Sequence, residues 1–281
     1  AHRFITDPDL YSPKEPGPAM HHQMSLGIPA SFYLDRGPEG QVVRRFIDSG
    51  ENPPNGVMIT YYLNNLPQNE ITIRLSDSSG EEIGRFSSDP TDGMIGIPAN
   101  QGTNRFVWDM RYSPGVMLVD EKSRHSGPEA VPGIYEVRLK VSGMTWRRSV
   151  EIHKDPRIRV TQSELQDKFK LLILIRDKLS SINLTVNQLR SVARQVDEWV
   201  ARAKGIDGEH AVAEFGCELK LDLESIEHEL VDPRSAGALN RLLFPVKLSF
   251  KIDALTSVVD SAESAPPQQA YEVYEDLVAQ P

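Results

Sequence analysis

The sequence contains a single cysteine, Cys217, among its 281 residues. One cysteine excludes an intrachain disulfide and any metal site built on several thiolates. The surrounding stretch, AEFGCELKL, is helical in pattern and half apolar. We therefore expect Cys217 to be a small buried residue rather than a reactive thiol.

Long apolar runs are also missing. No stretch of about 18 or more apolar residues occurs, so no transmembrane helix is expected. The first residues, AHRFITDPDLYSP, include neither an initiator Met nor the apolar region of a signal peptide. This predicts a processed product or an excised fragment.

The chain has no excess of positive charge. It has 31 Lys and Arg against 40 Asp and Glu, which gives a net charge of −9. Phosphate binding needs clustered Lys and Arg, so we expect neither nucleic acid nor an anionic membrane as the main partner. The composition, 39% hydrophobic and 25% charged, is typical of a folded chain of one or two domains.

The motifs of common enzyme classes are absent as well. The sequence has no phosphate-binding loop, no nucleophile elbow and no zinc-binding HExxH. His21 and His22 are adjacent and have no third ligand at metal spacing, and Glu227 directly precedes His228, the wrong spacing for a di-metal bundle. We predict no catalytic residue, no cofactor and no metal in this chain.

The first half of the chain follows a two-residue rhythm. Residues 1–54 are rich in Pro, which predicts a lead-in arm with edge strands, packed on the next domain. In residues 55–155, apolar residues alternate with polar ones, and turn formers such as Ser142-Gly143 separate the runs. The pattern predicts an immunoglobulin-like antiparallel β-sandwich without its disulfide. Its strands are expected at 56–63, 70–77, 83–86, 103–108, 133–142 and 144–152.

The second half, residues 156–281, follows a seven-residue rhythm. Thr161 and Glu164 form a capping box, and no Pro or Gly follows until Gly205, which predicts a helix over 162–203, roughly 60 Å long. Further helices are expected at 209–230, at 234–263 with a bend or fresh start at Pro245, and at 267–279. The predicted fold is therefore α+β, with two domains: the sandwich and an antiparallel helical bundle. The stripe expected to pack on the long helix is Val212, Phe215, Leu219, Leu223, Ile226 and Leu230.

Residues 102–112, GTNRFVWDMRY, raise the only question of a ligand site. In one interpretation, Trp108, Asp109 and Arg111 form a ligand surface with Asp120 and His125 of the polar loop 113–131, where carboxylates and a His could do acid–base work. In the other, Trp108 packs into the sandwich edge, Asp109 caps the turn and Arg111 forms a nearby salt bridge. We favour the second interpretation.

The order of several stretches resembles a known family. NPPNGVMITYYL (52–63), GTNRFVWDMRY (102–112), VPGIYEVRLKVSG (131–143) and KDPRI (154–158) are followed by the long helix. In this order they resemble the C-terminal region of large bacterial proteins with sortilin-like, Asp-box (BNR-repeat) β-propellers, often labelled glycosyl hydrolases. The β-rich part is also similar to the immunoglobulin-like domain of the flagellar hook-capping protein.

The resemblance implies a non-catalytic accessory module in an extracytoplasmic setting. Such a module would support or tether an upstream β-propeller or a partner subunit, and its helices could also join copies of the chain into a homo-oligomer. No catalytic residue of the family maps onto this sequence. The alternative is a carbohydrate-binding or glycoside-hydrolase-associated domain that uses Trp108 and the 113–131 loop.

Overall fold

The computed structural model describes residues 32–36, 42–46, 54–90, 95–119, 126–232 and 245–280. Within these ranges the chain is mixed α+β, with the strands first and the helices after them. All strand pairs are antiparallel. The strands are β1 (Phe32–Arg36), β2 (Val42–Phe46), β3 (Val57–Leu63), β4 (Thr72–Ser76), β5 (Glu82–Ser87), β6 (Gly102–Trp108), β7 (Gly133–Val141) and β8 (Met144–Ile152).

These strands form a β1–β2 hairpin, a two-stranded sheet β3–β6 and a four-stranded sheet in the order β5-β4-β7-β8. The last two sheets share one hydrophobic cluster. Trp108 of β6 packs edge-on against Tyr135 of β7, with ring centroids 5.7 Å apart. Phe86 of β5 lies 4.6 Å from Phe106 of β6. Aromatic pairs at such distances are favourable beyond their buried area, so they help to fix one sheet against the other.

The two-residue rhythm predicted which strand residues face this cluster. Ile71, Ile73 and Leu75 are fully buried, and Tyr135 is nearly so. The β7–β8 turn is the expected tight hairpin, because Ser142 and Gly143 have φ angles of 47° and 83°. Two consecutive positive φ angles match the right-handed twist of the strands they join.

The helices are α1 (Gln162–Ala203), α2 (Glu209–Leu230), α3 (Leu248–Asp260) and α4 (Gln268–Val278). The capping box at the start of α1 is confirmed: Thr161 Oγ1 accepts from the Glu164 amide at 3.2 Å, and the Thr161 amide donates to Glu164 Oε2 at 2.7 Å. With 42 residues, α1 is about 63 Å long.

The first half of α1 lies in a second hydrophobic cluster that α3 and α4 complete. Within the described ranges, the part of α1 beyond Leu189 packs against α2, and its inward-facing residues there are only half-buried. The predicted helix over 234–263 is only partly described, since 233–244 lie outside the described residues. Its described part, α3, ends at Asp260, and Pro267 is the residue that precedes α4 rather than its first residue.

Two expectations for α2 are wrong. Val212, Phe215 and Ile226, which were expected to face α1, are exposed, and Cys217 is exposed rather than buried. The buried residue of α2 is Gly216, at which an added Cβ would lie 2.7 Å from Val200 Cγ2 of α1. Because α2 contacts α1 through Gly216, the larger apolar residues of α2 lie beside the contact and remain exposed to solvent.

No helix in the described part of the chain combines the length and the apolar character that crossing a lipid bilayer requires.

Candidate functional site

The turn that follows β6 is stabilised by contacts among its own residues, 108–111. Trp108 has 0% of its surface exposed, and its indole Nε1 donates to the carbonyl of Arg111 at 2.8 Å. Between them, Met110 takes a left-handed backbone (φ 60°) and is itself buried. A non-glycine residue in the left-handed region is strained unless its surroundings fix it. Here the Trp108 indole binds the Arg111 carbonyl and the Asp109 carboxylate binds the Arg111 amide, so the backbone around Met110 is held on both sides.

Asp109 and Arg111 also have structural partners. The Asp109 carboxylate accepts the Arg111 amide at 3.1 Å, which is the predicted turn cap. Burial of the carboxyl raises the pKa of Asp109, and the Arg111 amide and guanidinium oppose this effect. The residue as a whole is exposed, so the desolvation of its carboxyl is partial. Arg111 Nη1 donates to the Gly127 carbonyl at 2.9 Å and lies 3.6 Å from an Asp260 oxygen, the predicted salt bridge.

The structure therefore supports the second interpretation of GTNRFVWDMRY as far as these three residues go. Trp108 presents no ring face to a ligand, because both its faces lie in the core. Asp120 and His125 lie outside the described residues, so their part in a ligand surface stays a prediction. The corner residues Trp108, Asp109 and Arg111 do lie together, but their contacts stabilise a turn.

The segment after the corner binds the long helix. Asn183 Nδ2 donates to the Val116 carbonyl at 2.7 Å, and Ser180 Oγ accepts the Val116 amide at 3.1 Å. One turn further, Asn187 donates to the Met117 carbonyl at 2.9 Å and accepts the Val119 amide at 3.1 Å. Each Asn satisfies backbone groups that a loop would otherwise leave without partners. The described part of loop 113–131 is thus tied to α1 along about two helical turns.

A buried cation joins α1 to the end of α3. Lys168 is 3% exposed, and its Nζ lies 3.1 Å from Asp260 and 3.4 Å from Glu263. Asp260 is also the partner of Arg111, so one carboxylate connects the β6 corner, α1 and α3. A charge removed from water needs such partners, and breaking the cluster leaves an uncompensated ion. We interpret this cluster of Lys168, Asp260 and Glu263 as a structural contact between α1 and the end of α3.

Groups of side chains with metal-ligand chemistry are not found within the described ranges. His153 and His210 are both exposed on separate elements. His21 and His22 lie outside the described residues.

The most unusual surface lies on the distal part of α1 and on α2. Six large apolar side chains are exposed there, Phe215 reaches 68%, and all of them but Leu221 lie on one side of the helix pair. Successive residues of a helix turn by about 100°, so the others, from α1 and from α2, fall on the same side of the line along which the two helices touch. We call this surface the apolar flank. It consists of Val192, Trp199, Val212, Phe215 and Ile226.

The opposite side of the same helix pair is closed by ion pairs. Arg190 lies 2.8 Å from Glu227, and Lys220 lies 2.8 Å from Asp197. The pair at Arg190 is mostly buried, so it fixes the two helices more firmly than an exposed pair would. The helix pair therefore has one polar, internally paired side and one apolar side.

Sequence reasoning missed this surface because it assigned the apolar residues of α2 to the core. The signal that could have found it is the small residue Gly216 beside Phe215, together with Trp199 on the side of α1. A helix with two apolar faces buries only one of them against a single partner.

A second feature missed from the sequence is a groove of about 940 Å³ between β3 and the β7–β8 side of the larger sheet. Exposed Tyr62 and Trp146, which is 46% exposed, lie along it. The run MTWRRSVEI of β8 alternates poorly, which is typical of a strand that is not packed on a continuous core.

No known protein family, no curated protein and no solved structure matches the chain.

Proposed function

We propose that the chain is a non-catalytic interaction module that associates with other protein through the apolar flank of α1 and α2. The single observation that supports this proposal is the exposure of Trp199 and Phe215 side by side on a helix pair whose other side is closed by ion pairs. Large contiguous apolar patches are rare on soluble monomers, and those that occur mark interaction sites in many cases.

The geometry of the helix pair suits a lateral helical partner. Two antiparallel helices cannot bury both faces of each helix, and a third or fourth helix covers the remaining stripe in helical bundles. Trp and Phe are the kind of side chain that contributes most binding energy at the centre of an interface. Arg202 stacks 5.3 Å from the Trp199 ring and supplies a charged rim to the patch.

The architecture and the setting of the module follow the resemblance described above. Residues 55–155 would be the immunoglobulin-like sandwich and residues 156–281 the helical bundle. The partner would be the β-propeller of a larger extracytoplasmic protein or a separate subunit, and a second copy of the chain would use the same flank. The shared core of the two sheets supports the sandwich, and the second cluster supports the bundle.

Sedimentation velocity tests the proposal with one substitution and a matched control. The chain is run alone and with the polypeptide encoded directly upstream of Ala1. Phe215→Gln removes the apolar flank's most exposed ring. Leu221→Gln is the control, because Leu221 is similarly exposed (62%) on the same helix but lies on its other side.

We expect a complex or a self-associated species whose dissociation constant rises by at least about 10-fold in Phe215→Gln and stays unchanged in Leu221→Gln. A wild-type chain that sediments as a monomer and binds no upstream polypeptide would count against the proposal. So would equal effects of the two substitutions.

The carbohydrate-binding alternative has a different test. It needs a ring against which a sugar can stack, and the ring proposed for it, Trp108, is buried. A glycan array that compares the wild-type chain with Asp109→Ala and Arg111→Ala tests the carbohydrate-binding alternative. Reproducible sugar binding by the wild type that either substitution removes would support it.

A further inference from the structure

A row of four arginines crosses the outer face of the four-stranded sheet. The strand register places Arg74 of β4 opposite both Arg85 of β5 and Arg138 of β7, and it places Arg138 opposite Arg147 of β8. Side chains alternate between the two faces of a strand, and the buried Ile73 next to Arg74 faces the core, so these arginines face outward. Neighbouring strands lie about 4.8 Å apart, so the four Cα atoms span about 14 Å. We call this set the arginine row.

The arginine row is only partly compensated by acidic side chains. Like charges directly opposite each other on neighbouring strands destabilise a sheet, and three such contacts follow one another here. The two inner arginines have carboxylate partners, since Arg74 Nη1 lies 3.4 Å from Glu82 Oε2 and Arg138 pairs with Glu136. The two end arginines are exposed, and neither has an acidic partner among the described residues. Two cations therefore remain uncompensated at the ends of the row.

Positive charge is concentrated on this open face. The arginine row and the rows of residues on either side of it have five basic side chains, including Lys140, against two acidic ones, in a chain whose net charge is −9. No helix that the structure describes contacts the four strands of this sheet. The face is thus open to a negatively charged ligand.

The residues beside the arginine row limit the kind of ligand. They are Ser87, Thr72, Lys140 and Thr145 on one side, and Glu82, Ser76, Glu136 and Ser149 on the other. None of these side chains is aromatic or apolar. The face therefore has no ring on which a nucleobase could stack and no apolar surface that could enter a lipid layer. Its hydroxyl and carboxylate groups are hydrogen-bond partners for the hydroxyl groups of a sugar.

We propose that the arginine row binds a linear acidic polysaccharide, with the carboxylate or sulfate groups of successive sugars on successive guanidinium groups. A guanidinium group presents two parallel N–H donors to such an oxyanion and stays charged at any physiological pH. One sugar ring advances a polysaccharide chain by a distance similar to the spacing of the strands, so the anionic groups of the ligand can follow the row. A ligand made of anionic groups and hydroxyls matches a face made of arginines and polar side chains, and it compensates the two end cations.

Biolayer interferometry on the full chain at low salt tests the proposal with immobilised polysaccharides. The acidic probes are polygalacturonate, which carries carboxylates, and dextran sulfate, which carries sulfates; neutral dextran is the blank. The variants are Arg147→Gln and the double substitution Arg85→Gln with Arg147→Gln. Arg148→Gln is the matched control, because Arg148 is also exposed on β8 but pairs with the buried Val137 and so lies on the opposite face of the sheet.

We expect the wild-type chain to bind at least one acidic polysaccharide and to leave dextran unbound. The dissociation constant should rise at least about 5-fold in Arg147→Gln and about 10-fold or more in the double variant, while Arg148→Gln stays within about twofold of the wild type. Failure to bind either acidic polysaccharide would overturn the proposal, as would equal losses in Arg147→Gln and Arg148→Gln. Tighter binding of polyglutamate or single-stranded DNA through the same arginines would assign the row to another class of ligand and also overturn it.

Thermal unfolding separates lost binding from lost folding. The double variant removes like charges from neighbouring strands, so it should be at least as stable as the wild type. The bound polysaccharide should raise the unfolding temperature of the wild type and leave that of the double variant unchanged. A clear loss of stability in the double variant would give the end arginines a structural role and overturn the proposal. Phe215→Gln lies on α2, so these outcomes are independent of the test of the apolar flank.

Discussion

At the scale of single residues, Trp108 is the largest fully buried side chain among the described residues. It is fully buried, its indole N–H has a backbone acceptor, and its ring contacts Tyr135. We predict that Trp108→Ala lowers the free energy of unfolding by about 3–5 kcal/mol, the range for a large aromatic side chain removed from a core. Urea denaturation in dilute solution measures this loss.

The control for that substitution is Trp199→Ala, because Trp199 is exposed on α1. Its effect on the same measurement should stay below about 1 kcal/mol. Equal losses for the two tryptophans would mean that Trp108 is not packed as described.

Tyr61 gives a prediction of pH dependence. Burial raises the pKa of Tyr61 to about 12, and its hydroxyl donates to the Pro98 carbonyl. Because the ordinary pKa is 10.0, the unfolded chain loses this proton first, and stability falls as pH rises from about 10 to 12. In Tyr61→Phe this contribution is absent. The difference in free energy of unfolding between the wild type and Tyr61→Phe should therefore narrow by up to about 1.4 kcal/mol per pH unit between about pH 10 and 12.

Urea denaturation at several pH values between 9 and 12 checks the Tyr61 prediction. Burial also raises the pKa of Tyr112, so the variant itself should still lose stability over part of this range. A gap of constant size would show that the Tyr61 hydroxyl titrates alike in the folded and unfolded chain.

At the scale of elements, local signals were sufficient for the bounds of α1 and α2 and insufficient for the buried face of α2. Thr161, Glu164 and Gly205 delimit α1, and its observed ends agree with the prediction. The face of α2 was wrong because apolar residues occupy two sides of that helix, and periodicity alone cannot say which side is buried. The close approach at Gly216, a tertiary contact, decides between them.

The same contact yields a prediction at this scale. Gly216→Leu inserts a side chain where Val200 Cγ2 and Val196 Cγ1 already stand 2.7 and 3.2 Å from an added Cβ. We expect α2 to move away from α1 and the chain to lose about 1–3 kcal/mol of stability, the range for overpacking. Faster hydrogen exchange across α2 would report the separation. Ser225→Leu, on the exposed side of α2, should leave that exchange unchanged.

At the scale of the whole molecule, the change from a two-residue to a seven-residue rhythm separates the strands from the helices as predicted. What the sequence could not reveal is how the two parts meet. Asn183 and Asn187 bind the loop backbone, and Lys168 and Asp260 form a buried joint, yet each residue looks like an ordinary polar position of a helix. Their roles depend on elements far away in sequence.

The candidate site was predictable to a similar extent. The favoured interpretation of the β6 corner assigned Trp108, Asp109 and Arg111 their observed roles from local sequence alone. The apolar flank and the groove were not predicted, because both arise where two packed elements leave a surface uncovered. Such surfaces are properties of packing, and a list of strands and helices does not contain them.

Oxidative footprinting of the chain with its partner tests the central claim most directly. Hydroxyl radicals modify exposed aromatic and aliphatic side chains, so Trp199, Phe215 and Leu221 should all react in the free, dilute chain. In the complex or self-associated species, we predict that Trp199 and Phe215 become protected by about 10-fold or more while Leu221 keeps its reactivity. Undiminished oxidation of Trp199 and Phe215 in an associated species would contradict an interface at the apolar flank.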